Sequence, residues 1–249
     1  MRMTPDSIER YARHLVLKEI GGPGQQALLG AKVVLVGAGG LGGPAGLYLA
    51  AAGVGQITII DDDQVEASNL QRQVQFVHTD VGMPKAVVMG DTLRDLNPDI
   101  RVTHHITRLT AGNAERLLAG HDVIIDGVDD FATRFAINAA ALVLKTPLIS
   151  GALGRFDGQV MGFASDGSGP CYRCFVPEIP PDAETCAAVG VVGALAGIIG
   201  SMMALEVIKL ITGAGQPLLG RLYLYDGLSG EGRTVNLPRD SHCPQCGSR

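Results

Sequence analysis

Apolar and polar positions along this chain fall into two alternating registers. Short runs of aliphatic, mostly β-branched residues occur at 32–36, 56–60, 101–106, 122–126 and 147–150. Longer stretches with apolar residues every three or four positions lie among them, at 41–52, 84–96, 111–119 and 131–144. A continuous apolar run of four or five residues predicts a strand buried on both faces, and the longer period predicts a helix. Strand and helix in strict alternation specify a mainly parallel sheet with helices on both sides. Beyond residue 150 the pattern changes, and 159–164, 222–225 and 233–237 predict antiparallel strands. Ahead of the first strand, Thr4-Pro5-Asp6 predicts a helix start, a capping hydroxyl followed by proline at the first helical position, with the helix running to about residue 19. Gly21-Gly22-Pro23-Gly24 predicts its end. No repeat, low-complexity tract or linker interrupts the chain. The expected fold is α/β: one Rossmann-like, mainly parallel sheet with an antiparallel C-terminal elaboration.

Composition narrows the function classes. At 249 residues, 46% hydrophobic and 18% charged, the chain is expected to be globular. A net charge of −5 gives no broad electrostatic footprint for nucleic acid or an anionic membrane, so any anionic substrate needs a local cluster of cations. Residues 1–7 lack the apolar core of a signal peptide, so a cytoplasmic setting is expected. The 19 residues from 187 to 205 carry no charge and are long enough to cross a bilayer, with Gly193-x-x-x-Gly197 resembling a membrane dimerisation face. A span would put the cysteine pairs before and after it on opposite sides of a membrane, so a helix packed in the core or against a second subunit is expected instead.

Four of the five cysteines form two Cys-x-x-Cys pairs, Cys171/Cys174 and Cys243/Cys246, with 68 residues between the pairs. Two such pairs supply the four thiolates of a closed, structural tetrahedral zinc site. His242 is a weaker rival ligand. Cys186 is left over; it follows Pro180-Pro181-Asp182-Ala183-Glu184-Thr185 and is read either as a reactive thiol at a helix start or as a small residue with no chemistry.

Gly37-Ala38-Gly39-Gly40-Leu41-Gly42 fits Gly-x-Gly-x-x-Gly between a predicted strand and helix. Glycine lets the backbone approach a phosphate, and the helix N-terminus offers its N–H groups to the anion. Asp61, nineteen residues past Gly42 at the end of the second predicted strand, is placed to accept from ribose hydroxyls. The usual ligand of this fingerprint is a dinucleotide. Here the polar run Ser68-Asn69-Leu70-Gln71-Arg72-Gln73 and Lys85 follow, and two further cations suit a triphosphate better. Asp126-Gly127-Val128-Asp129-Asp130 ends another strand at the same sheet edge, where one aspartate is a candidate Mg²⁺ ligand and Asp129 or Asp130 a candidate helix cap. His78, His104, His105 and His121 lack motif context and are expected at the surface or rim.

Together these residues resemble the MoeB/ThiF adenylyltransferases, relatives of the ubiquitin-activating enzymes, from about Ile8 to Cys246. The likeness rests on Arg10-Tyr11-x-Arg13, the glycine loop, Asp61-x-Asp63-x-Val65, Ser68 to Gln73, Gly82-x-Pro84-Lys85, Asp126-x-x-Asp129, Pro170-Cys171-Tyr172-Arg173-Cys174, Thr185-Cys186 and Cys243-x-x-Cys246. The resemblance implies ATP-dependent adenylation of the C-terminal glycine carboxylate of a ubiquitin-like sulfur carrier ending in Gly-Gly, which serves molybdopterin or thiamine synthesis and receives sulfur from a separate donor. It implies that residues 1–150 bind the nucleotide and 151–249 form a zinc-stapled half for the carrier. By motif, Gly39, Gly40, Gly42, Asp61 and the run Ser68 to Gln73 would surround ATP; Asn69, Arg72, Gln73 and Lys85 would contact phosphates, and Asp129 would hold Mg²⁺. Arg13 would reach the ATP of the other subunit in a homodimer. Cys186 matches a cysteine that forms a thioester in larger relatives. Asp130 departs from the family, which usually has Asn there; a cap swap is the expected reading, an altered metal dependence the alternative. From other classes remain a non-catalytic module that grips ubiquitin-like proteins and a nicotinamide-dependent oxidoreductase, the latter leaving the cations without a role.

Overall fold

A computed structural model of the chain describes residues 4–179 and 190–247. Three helices, α1 (Pro5–Arg10), α2 (Ala12–Leu15) and α3 (Gly21–Gly30), lead into β1 (Lys32–Val36). The expected alternation follows as α4 (Gly42–Ala52), β2 (Gln56–Ile60), α5 (Lys85–Leu96), β3 (Arg101–His105), α6 (Ala114–Leu118), β4 (Val123–Asp126), α7 (Phe131–Leu144) and β5 (Leu148–Leu153). The remainder comprises β6 (Asp157–Phe163), α8 (Tyr172–Phe175), α9 (Gly193–Thr212), β7 (Arg221–Asp226) and β8 (Glu231–Asn236).

The eight described strands share one sheet, in the order β3-β2-β1-β4-β5-β6-β7-β8. The five from β3 to β5 are mutually parallel, and β6, β7 and β8 extend the sheet antiparallel. Successive β1 side chains enter opposite cores, as a period of two requires. Val33 and Leu35 pack with Leu49, Met89, Leu93, Ile199 and Met203 from α4, α5 and α9. Val34 and Val36 pack with Leu117, Ile137, Ala141 and Tyr172 from α6, α7 and α8.

The N-terminal region differs from expectation. Helix α1 stops at Tyr11, and the glycine-rich cluster read as a break is the start of α3. Gly21 makes the turn with φ +55°, and Pro23 then sits within the first turn, where its missing N–H costs nothing. Tyr11 is 2% exposed, and its hydroxyl accepts from Asn97 Nδ2 at 2.9 Å, which pins this arm to the body. His121 is half-buried and hydrogen-bonded on both nitrogens: its Nε2 lies 2.9 Å from Thr58 Oγ1 and its Nδ1 3.0 Å from the Leu118 carbonyl. His104 likewise has a buried Nδ1, while His78 and His105 are exposed.

Helix α9 is long and apolar enough to cross a membrane. Here it is a core helix on one face, with Leu195, Ala196, Ile199, Met203 and Val207 buried. Gly193 is required, since a Cβ there would lie 2.0 Å from the Gln71 carbonyl. Its opposite face is open among the described residues: a Cβ on Gly197 would meet none of them within 4 Å, and Ile198 and Leu205 are exposed.

Candidate functional site

The chain passes from β1 out to β2 and β3, then crosses back to β4 on the other side of β1. The strand order therefore reverses between β1 and β4, whose carboxyl ends are where an open α/β sheet binds ligands. Val36 pairs with Ile60 on one side and Asp126 on the other, so the segments after β1, β2 and β4 converge there. They enclose a cleft of about 370 Å³. That is within the ordinary range for small-ligand sites.

The floor is the glycine loop. Gly39 and Gly40 line the cleft and Gly42 opens α4 behind them. A Cβ on Gly42 would lie 1.8 Å from the Gly37 carbonyl oxygen, so no other residue permits this turn. Asp61 holds the loop from beside: its carboxylate accepts from the N–H of Ala38 at 2.7 Å and of Asp63 at 2.9 Å. Burial pushes its carboxyl above the usual aspartate range, and those two N–H groups pull partly back. Gln75, which sequence reasoning missed, holds the loop from the other side by donating Nε2 to the carbonyls of Ala38 (2.7 Å) and Gly39 (3.1 Å).

The cations reach the cleft by different routes. Arg72 lines it, with Nη1 donating to the Ser68 carbonyl at 3.0 Å. Lys85, at the start of α5, is 6% exposed, and its ammonium pairs with Asp63 at 2.8 Å. Gln73 is buried in the lining with its Oε1 unpartnered. The rest of the run stays off the wall. Among the lining residues Ser68, Asn69, Leu70 and Gln71 do not appear, and the Asn69 side chain bonds within its own turn to Glu66 N–H and Ser68 Oγ. Arg13 is exposed on α2, away from this cleft, and Cys186 lies outside the described residues.

At the opposite wall, Asp126 is fully buried and raised by that burial, while Arg134 and Ser150 offset part of the rise. Ser150 Oγ donates to it at 2.6 Å, and Arg134 Nε lies 3.8 Å away. Arg134 Nη2 also donates to the carbonyls of Val128 and Gly151, both at 2.6 Å. Arg134 was also missed by sequence reasoning, yet it carries a signal: it is the only charged residue in the apolar sequence of α7. Asp129 stands exposed at the mouth. An exposed carboxylate of this kind is chemically suited to Mg²⁺, which takes one or two carboxylates and keeps most of its other ligands as water and phosphate. Asp130 is the helix cap, accepting from Thr133 N–H at 2.8 Å.

A second polar cluster lies where the chain ends. The sulfurs of Cys171, Cys174, Cys243 and Cys246 all lie within 4.8 Å of one another, with Cys171–Cys243 at 3.7 Å and Cys174–Cys246 at 3.4 Å. A tetrahedral thiolate site with bonds of about 2.3 Å separates its sulfurs by roughly 3.8 Å, so the cluster fits zinc. Backbone N–H groups of Cys171 and Gln245 donate to Cys174 and Cys243 sulfurs, the outer-shell support such ligands need. Burial pushes the Cys171 thiol up, so four thiolates coexist there only around a cation. His242 is turned to solvent, with a side chain 95% exposed.

This geometry has counterparts. The ThiF family model matches residues 11–246. The chain is 45% identical over 253 positions to a sulfur carrier protein adenylyltransferase of Thermus thermophilus, covering 99% of this chain and 93% of that protein. It is 44% identical to the sulfur carrier protein ThiS adenylyltransferase of Escherichia coli (96% and 94% covered) and 44% identical to the SAMP-activating enzyme E1 of Haloferax volcanii (96% and 89%). Among solved structures, E. coli MccB with MccA-N7isoASN superposes with a TM-score of 0.84 over 97% of this chain and 75% of that one, at 23% identity, a likeness of fold.

Proposed function

Since this chain belongs to the ThiF family, we propose that its cleft binds ATP with Mg²⁺ and joins the C-terminal glycine carboxylate of a carrier to the α-phosphate. The chain is an adenylyltransferase, and its protein substrate is a ubiquitin-like sulfur carrier. The observation that carries the finer reading is the convergence of Asp61, Arg72, Gln73, Lys85 and Asp129 on one cleft beside the glycine loop.

The chemistry asks for little beyond these groups. A carboxylate is ionised at pH 7 and needs no general base. One of its oxygens bonds to the α-phosphorus, the bond from that phosphorus to the β-bridging oxygen breaks, and pyrophosphate leaves with both electrons. The barrier comes from aligning two anions and from charge on the leaving group. Asp61 accepts from the ribose. Gln73 and Arg72 face the phosphates, and Lys85 joins them by exchanging Asp63 for a phosphate oxygen. Mg²⁺, held by Asp129, would supply further neutralisation of the pyrophosphate. Zinc at the four cysteines would tie residues 151–249 into one carrier-binding half on the nucleotide half, 1–150.

We place the reaction in a cytoplasmic homodimer. Support comes from an apolar groove lined by Tyr48, Val74, Leu96, Gly197 and Ile198, with Val74 70% and Tyr48 59% exposed, on the open face of α9. Ile198→Glu is expected to give a monomer by light scattering; an unchanged mass removes this face from the dimer.

The test of the function is ATP–pyrophosphate exchange with candidate carriers ending in Gly-Gly, of the molybdopterin and thiamine types, supplied one at a time. Exchange is expected only when carrier, ATP and Mg²⁺ are all present. Exchange independent of every carrier overturns the reading. Trapping a thiol-labile carrier adduct, absent in Cys186→Ala, decides whether Cys186 acts covalently.

A further inference from the structure

Asp130 has two oxygens with two separate partners. Oδ1 caps α7 through Thr133 N–H at 2.8 Å, and Oδ2 lies 3.4 Å from Nη2 of Arg108, on the segment that follows β3. Both residues line the cleft. An asparagine caps as well as an aspartate. It cannot pair with a guanidinium, because the other end of its amide is a donor. Cap formation therefore explains why a short polar residue stands here, but not why it is charged.

The charge balance of the wall supplies the reason. Among the described lining residues are five carboxylates, Asp61, Asp62, Asp63, Asp129 and Asp130, against four cations, Arg72, Lys85, Arg108 and Arg134. Lys85 is paired with Asp63 and Arg134 with the buried Asp126. A further uncompensated carboxylate next to Asp129 would repel the ligand with the highest charge, a triphosphate. Arg108 is the cation that meets it. The pair also joins the segment after β3 to the loop after β4, so Thr107, Arg108 and Leu109 form one side of the cleft.

We infer that Arg108 sets nucleotide affinity by acting through Asp130: it neutralises that carboxylate and ties the side wall of the cleft to the loop bearing Asp129. Arg108 is thus a positioning residue, and the inference rests on the ATP reading of the cleft. Its effect scales with ligand charge and with the presence of the Asp130 carboxylate.

The experiment is a double-mutant cycle of the full chain, Arg108→Ala, Asp130→Asn and both together, with dissociation constants for ATP and AMP by calorimetry at fixed Mg²⁺. Arg108→Ala is expected to weaken ATP about fivefold, the upper range for a solvent-accessible pair. AMP is expected to weaken less than about twofold, and the ATP loss to shrink in 0.5 M salt, where screening acts within about 4 Å. In the Asp130→Asn background the same substitution is expected to cost less than about 1.5-fold, and Arg108→Lys to restore most of the affinity. Equal losses in both backgrounds would mean that Arg108 touches the nucleotide itself, and no loss in either would mean that the pair is inert; both overturn the inference. Failure of the unsubstituted chain to bind ATP would instead remove the adenylation reading beneath it.

Discussion

The nucleotide cleft and the cysteine cluster are both built from groups that resist burial, and they resolve the cost in opposite ways. In the cluster four like groups face one another, so it needs something from outside to hold it together. In the cleft each buried cation already has an internal carboxylate, Lys85 with Asp63 and Arg134 with Asp126. The first arrangement suits a permanent ion and rigidity. The second suits a ligand that comes and goes, because a cation parked on a carboxylate is held in place without being lost to solvent. Structure and turnover are thereby assigned to different polar clusters, and substitutions are expected to separate them.

The largest expected effect is on turnover. Arg72→Ala, which removes a cation bound, among the described residues, to a backbone carbonyl, is expected to lower pyrophosphate exchange about 10²- to 10³-fold. The thermal midpoint should stay within a few degrees; a loss under tenfold would put the phosphates elsewhere.

Next is metal removal at the other cluster. The parent is expected to carry one zinc per chain by atomic absorption and Cys243→Ser none, with an unfolding midpoint lower by about 5 °C or more, at roughly 2–4 °C per kcal/mol for a chain of this size. A metal-free variant that melts with the parent would end the structural assignment.

Asp63→Asn tests the parked cation. Lys85 has an 8% exposed side chain but Asp63 one that is 65% exposed, so the cost is expected near about 1 kcal/mol rather than that of a fully buried pair. ATP should recover much of it, read as a larger nucleotide-induced rise in melting temperature than in the parent. An equal rise means Lys85 does not change partners.

The smallest effect is in pH. Asp61 has a folded-state pKa raised by burial above the ordinary 3.8, so in the window from there up to its folded value the native state holds the extra proton. Stability therefore falls as pH rises through that window. ATP affinity moves the other way, since the ribose hydroxyls need the ionised carboxylate. Asp61→Asn is expected to flatten the first profile; a parent and variant with identical slopes would rule out Asp61 as its source.

Some of this was legible in the chain and some was not. The cysteine spacing named its own chemistry, because two short-range pairs leave only their meeting to be decided by the fold. The glycine loop and Asp61 were legible because a strand-to-helix turn and a strand end fix where such residues stand. Within Ser68 to Gln73, however, sequence grouped Asn69 with Arg72 and Gln73, because a motif does not say which side chains a turn spends on its own hydrogen bonds. The turn at Ala67–Asn69 sends Arg72 and Gln73 to the wall and keeps Asn69 in its own hydrogen bonds. Gln75 and Arg108 went unread because each acts through a residue far away in sequence, Ala38 and Asp130.

Local sequence determined the strands, the helices, the tight glycine loop and the two cysteine pairs. These follow from periodicity, steric limits on the backbone and the valence of sulfur, which are short-range properties. Which carboxylate each cation meets, and so which charges remain for a substrate, was decided only when the sheet brought the ends of β2, β3 and β4 side by side. Electrostatic pairing depends on distance in space, and the chain carries no local record of it.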